Sequence, residues 1–158
     1  MKIFPVRTLK FKLIDTHENT LNRLIRKTDH SERMTMSTTK KSFRGIVDGS
    51  QFKLLSSAMS GGAFCLMTGA IDVDGGYVKV EVNKPFKLLL CLLLAFPIIA
   101  VLAILVSTPE KFSPVHLLIM VAQTLMMRYV FIGVAFNLLS RNSLNRLGDV
   151  LDLEWIEV

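Results

Sequence analysis

The chain is poor in the residues from which enzymes and metalloproteins build their sites. Its two cysteines, Cys65 and Cys91, form neither a CxxC nor a zinc-type spacing, so both are read as reduced small hydrophobes. His17 and His30 have no Cys, His or paired acid at ligand spacing, so no metal is expected. No Ser stands in a nucleophile-elbow context. The segment SAMSGGAF, with Ser60, Gly61 and Gly62, lacks the Lys-Ser/Thr of a phosphate-binding loop and the glycine spacing of a dinucleotide site, and reads as a strand connection. No enzyme activity and no cofactor are therefore predicted. The N-terminal MKIFPVRTLKFK has no signal-peptide apolar core. A further absence is the most informative. Between Phe86 and Val106, and again between Val115 and Leu139, there is no Asp and no Glu.

Those two carboxylate-free segments are FKLLLCLLLAFPIIAVLAILV and VHLLIMVAQTLMMRYVFIGVAFNLL. About 20 predominantly apolar residues cross a hydrocarbon core of roughly 30 Å, and both segments reach that length. Only the eight residues STPEKFSP separate them. The spacing predicts a transmembrane helical hairpin over 86–139 (86–106 and 115–139), with a cytoplasmic α+β region over 1–85 and a C-terminal segment over 140–158. With no leader recognised, the first span is expected to direct its own insertion. The polar regions are too small for a large core, and small domains bury a limited share of their surface. They are expected to lean on the membrane or on a partner.

Charge orients the hairpin. Residues 1–85 hold 14 Lys/Arg against 8 Asp/Glu, within a net of +6 for the whole chain. Basic residues before a span are attracted to an anionic inner leaflet, at about 1 kcal/mol each close to the surface. No nucleic-acid motif accompanies them, so nucleic acid is not expected as a partner. Lys79, Lys84, Lys87, Arg141 and Arg146 flank the side shared by both termini, whereas the short connection carries Lys111 alone. The positive-inside rule then places both termini in the cytoplasm. The chain is expected to cross the membrane twice.

The polar region shows several changes of period. Leu9, Phe11 and Leu13 alternate with lysines as in a short strand. Asp15 or Thr16 can cap a helix over roughly 16–29, with Leu21, Leu24, Ile25 and Thr28 on one face. Polar residues then lead to a β-meander. Two strands flank Asp48-Gly49 and two more flank Asp74-Gly75-Gly76. Val78, Val80 and Val82 are expected in the core, with Lys79 and Glu81 facing water. In the C-terminal segment, Leu144, Leu147, Leu151 and Trp155 recur at helical spacing, while Leu151, Leu153 and Trp155 also alternate as a strand would. The helix is preferred, with its acidic residues turned toward the basic first helix.

The order of these pieces resembles a group of small uncharacterised bacterial two-helix integral membrane proteins with a cytoplasmic β-meander. The residues that carry the resemblance are Phe43, Gly45 and Ile46, then Phe52 and Leu54, Gly69 and Ile71, and Val78 to Val82. Ile46 follows Gly45 directly, one place earlier than the group's pattern, and Val47 holds the expected position. The resemblance implies the fold class, the topology and a bacterial inner-membrane location. It implies no activity.

Five residues inside the apolar segments are candidates for function. Arg128 lies near the middle of the second. A central Arg costs about 2.5–3.5 kcal/mol, and roughly a dozen Leu, Ile, Val and Phe residues each return about 0.3–0.6, so insertion is favoured. Pro97 lies midway along the first span and frees the Leu93 carbonyl. In an antiparallel hairpin this carbonyl matches Arg128 in depth, so Arg128 is expected to donate to it, in the same or a neighbouring chain. The other readings have Arg128 snorkel, or have the span shift toward an interface. His116, Gln123 and Asn137 fall within about 60° of one another on an ideal helix, as a stripe joining helices or lining a water path. Together these features predict a membrane-anchored interaction or sensor module with a basic cytoplasmic face. Its partners are anionic lipid, and a second copy or another protein. The alternative is an oligomeric pore or transport accessory built from the hairpins.

Overall fold

The computed structural model describes residues 4–31, 41–57, 62–107, 110 and 113–156. The chain divides into two compact units, Met1–Asn83 with Phe136–Val158, and Lys84–Ala135.

The first unit is built on a seven-stranded mixed sheet. Its strands are β1 (Val6–Leu13), β2 (Thr28–His30), β3 (Phe43–Asp48), β4 (Gln51–Ser56), β5 (Cys65–Ile71), β6 (Gly75–Val82) and β7 (Leu153–Ile156), in the order β2-β3-β4-β5-β6-β1-β7. The expected meander is β3 to β6. Gly49, at φ +54°, is the first central residue of the tight turn between Asp48 and Gln51, which pair across it; two-residue hairpin turns favour a glycine of positive φ there. Gly45 in β3 has φ +153°, and a Cβ there would stand 2.0 Å from the Lys53 carbonyl oxygen. That close approach explains a glycine within a strand.

Three features of the sheet differ from the expectation. A three-residue strand, β2, pairs in parallel with β3, where the first helix was expected to run on to about 29. Strand β1 lies between β6 and β7, antiparallel to both. The C-terminal segment is both helix and strand: α4 (Gly133–Leu151) carries Leu144, Leu147 and Leu151, and β7 carries Leu153 and Trp155. Asp152 makes the change of direction at φ +51°, the left-handed stop that usually falls to Gly or Asn.

Helix α1 (His17–Lys27) begins at Thr16, whose hydroxyl accepts from the Asn19 N–H, and carries Glu18 in its first turn, in accord with its dipole. It buries Thr20 and Leu24, while Ile25 is exposed, contrary to the expected face. Strand register assigns the sheet's two faces, because directly paired residues point the same way. One face holds Phe11, Phe43, Phe52, Leu54, Met67, Ile71, Val78, Val80 and Val82, all 2% exposed or less. Helix α1 borders β2 and β3. Helix α4 lies beside β1 and β7, where Leu144 and Leu9 border one cavity. There Gly148 admits the indole of Trp155, since a Cβ at Gly148 would stand 2.9 Å from its Nε1. Trp155 also meets Phe11 edge-on, with ring centroids 6.1 Å apart, a favoured aromatic geometry.

The second unit holds α2 (Lys84–Ser107), α3 (Pro114–Met126) and a π-helical segment, Met127–Ile132, that leads into α4. The helical run is continuous from Pro114 to Leu151, so no break falls at 139–140. Helix α2, and this longer run, are each long and apolar enough to cross a membrane. Their large side chains are mostly exposed: Leu88, Leu92, Phe96 and Leu118 all exceed 60%. Water solvates such a surface poorly and a bilayer solvates it well.

Candidate functional site

The five candidates from the apolar segments fall in different settings. Pro97 alone is buried in α2, which runs through it as unbroken α-helix. Arg128 lies within the π-helical segment, half-buried, with its guanidinium carbon 5.7 Å from the Tyr129 ring centroid, within cation–π range. Wide π-turns are rare and concentrate at functional sites, and nothing in residue composition announces this one.

His116 completes a helix cap. The Ser113 hydroxyl accepts from the Val115 N–H, and the Ser113 N–H donates to His116 Nδ1 at 3.2 Å. The capping box at the start of α3 gives His116 a local structural task. Gln123 is exposed, as is Asn137. The π-helical segment lies between these two, and its wider turns interrupt the 100° count that put them on one stripe. His116 and Gln123 keep their relation within α3; Asn137 belongs to α4, beyond the interruption.

The first unit carries a polar surface that periodicity had indicated only in part. On the sheet face opposite the core, register brings together Thr8, Lys10 and Lys12 of β1, Tyr77 and Lys79 of β6, Thr68 of β5 and Lys53 of β4. Thr8, Lys10, Lys12, Lys53, Thr68 and Tyr77 are exposed. Lys79 and Glu81, expected in water, are half-buried and 3.9 Å apart. Leu55 and Leu66, paired on the same face, are buried.

An ion cluster ties α1 to both ends of the sequence. Arg23 bonds the carboxylate of Asp152 and reaches that of Asp15 at 3.5 Å. This is the expected meeting of C-terminal acid with basic first helix. Asp15 is held below the usual carboxylate range, first by the Asn19 amide, then by the Thr16 N–H and by Arg23. Burial pushes the Cys65 thiol up to about 12, which leaves it inert at neutral pH.

Among the described residues no cluster of three or more His, Cys, Asp or Glu is placed to hold a metal. His17 Nε2 lies 3.2 Å from the Ile71 carbonyl oxygen, and His30 ends β2 beside Gly45. Ser60 and Gly61 lie outside the described residues, and Gly62–Phe64 forms a single 3-10 turn before β5. No family model matches the chain, and neither a curated protein nor a solved structure matches it.

Proposed function

We propose that this protein is a membrane-anchored interaction module of the bacterial inner membrane, with the sheet unit and both termini in the cytoplasm. The observation that carries the reading is the pairing of two kinds of surface in one chain. The folded sheet unit has a lysine-bearing polar face, and α2 and α3 expose apolar side chains over most of their surface. One residue, Asn83, lies between β6 and α2. A folded unit tethered that closely acts at the membrane surface, and its basic residues favour an anionic leaflet.

Topology is tested by reporter fusions after residue 158 and within 107–114. A cytoplasmic signal at the terminus and an external one in the connection support the reading, and the reverse pattern refutes it. Native mass spectrometry of protein released from lipid nanodiscs separates the interaction module from a pore. The π-turn at Arg128 is the feature that favours the pore as a second reading, and two helices per chain enclose a water path only in a ring. A monomer or dimer supports the module, and a closed ring of four or more chains supports the pore.

A further inference from the structure

A cavity of about 380 Å³ in the sheet unit lies between β1, β7 and α4. Its volume suits a small ligand or the head of a larger one. Arg7 of β1 and Arg141 of α4 both border it, with Asn145 of α4. Leu9, Leu144 and Trp155 supply an apolar wall. Among the described residues no acidic one lines it. Neither arginine side chain makes an ion pair or hydrogen bond among the described residues. Two guanidinium groups brought to one cavity without a carboxylate repel each other, and a bound anion relieves that repulsion. Guanidinium forks match the oxygens of a phosphate group two at a time. The indole of Trp155 adds an amphipathic side chain of the type enriched at lipid headgroup depth.

We propose that this cavity binds a phosphate ester carrying an apolar portion, the phosphate on Arg7 and Arg141 and the apolar portion against Leu9, Leu144 and Trp155. Asn145 contributes an amide donor to the same group. The phosphate of an anionic lipid headgroup and that of a soluble phosphate ester with an apolar tail share this chemistry. The proposal rests on the membrane-module reading for its lipid source alone.

Trp155 is the sole tryptophan of the chain, so intrinsic fluorescence reports on this cavity directly. The full-length protein in a neutral maltoside detergent is titrated with dihexanoyl-phosphatidylglycerol, dihexanoyl-phosphatidylcholine and hexyl phosphate. The expected result is a saturable Trp155 response to the phosphatidylglycerol, with the phosphatidylcholine at least tenfold weaker. Arg7→Gln and Arg141→Gln each weaken binding by roughly tenfold, as loss of a charge-assisted hydrogen bond does. The charge-matched Lys10→Gln control, on the opposite sheet face, leaves it unchanged. If a Gln variant loses its far-ultraviolet dichroism, Arg7→Lys and Arg141→Lys replace it, and they also weaken binding because a lysine lacks the fork. Hexyl phosphate binding as tightly as the lipid identifies a soluble source. Response to the lipid alone identifies a headgroup.

Equal binding of the two lipids, no saturable response to any probe, or Arg variants that bind like wild type overturns the proposal. Alkaline carbonate extraction of membranes is scored separately. Protein that stays with the membrane while Trp155 shows no response removes the site and leaves the module. Protein released by carbonate removes the membrane reading, whatever Trp155 does.

Discussion

Leu147→Ala is the substitution that tests whether the end of the second long helix belongs to the sheet. Leu147 has no exposed surface, and its α4 neighbours Leu144 and Leu151 are 3% and 1% exposed. Truncating a fully buried Leu to Ala costs about 2–5 kcal/mol, through lost transfer energy and the cavity left behind. A value of about 3 kcal/mol is a large part of the 5–15 kcal/mol that holds a typical domain folded. At about 1.4 kcal/mol per decade it raises the unfolding equilibrium roughly 150-fold. Cys65 offers the readout. It is fully buried in β5, and its thiol is shifted up to about 12. Native Cys65 is therefore almost never a thiolate at pH 7.5, whereas an unfolded cysteine, near 8.5, is about one-tenth thiolate. Maleimide reaches it only through opening of the unit. In a Cys91→Ser background, with the protein in nanodiscs, Leu147→Ala should speed Cys65 labelling by about two decades. Leu118→Ala, at a side chain 72% exposed on α3, should change it less than threefold. Labelling unchanged by Leu147→Ala would refute the claim that α4 stabilises the sheet.

Three further substitutions probe separate features. Thr20→Val should stabilise the sheet unit by up to about 1 kcal/mol, because Thr20 Oγ1 is buried without a hydrogen-bond partner among the described residues and Val has nearly the same shape; a lower thermal midpoint would show that the hydroxyl is satisfied. For Asp15, whose carboxyl is held low in the folded protein, the stabilising contribution is present above the unfolded value and is lost as pH falls through the folded one. Asp15→Asn should thus lower the unfolding midpoint at pH 7 and converge with wild type at strongly acid pH, and a constant difference across pH would contradict that sign. Arg128→Leu should lower thermal stability in nanodiscs by disturbing the π-helical segment and its Tyr129 contact; unchanged or higher stability with unchanged assembly would mean that Arg128 supports neither.

Local patterns in the sequence determined much of this protein. The period-two alternation of Val78, Val80 and Val82 against Tyr77, Lys79 and Glu81 places one set in a core because a strand has only two faces. Asp48-Gly49 marks a hairpin, Thr16 caps a helix, and two long carboxylate-free segments are apolar beyond the needs of a small core. Each is a statement about neighbours, and neighbours are what a sequence displays. Tertiary structure alone decided that β1 sits between β6 and β7, because the partner of an edge is chosen by what the whole sheet can bury. It decided that Leu151 and Leu153 fall on opposite sides of a helix–strand boundary, since both periods fit and only packing on β1 distinguishes them. It also placed a π-turn around Arg128 and set Arg7 and Arg141, distant in the chain, on one cavity, because the closure of β1 against α4 brings them there.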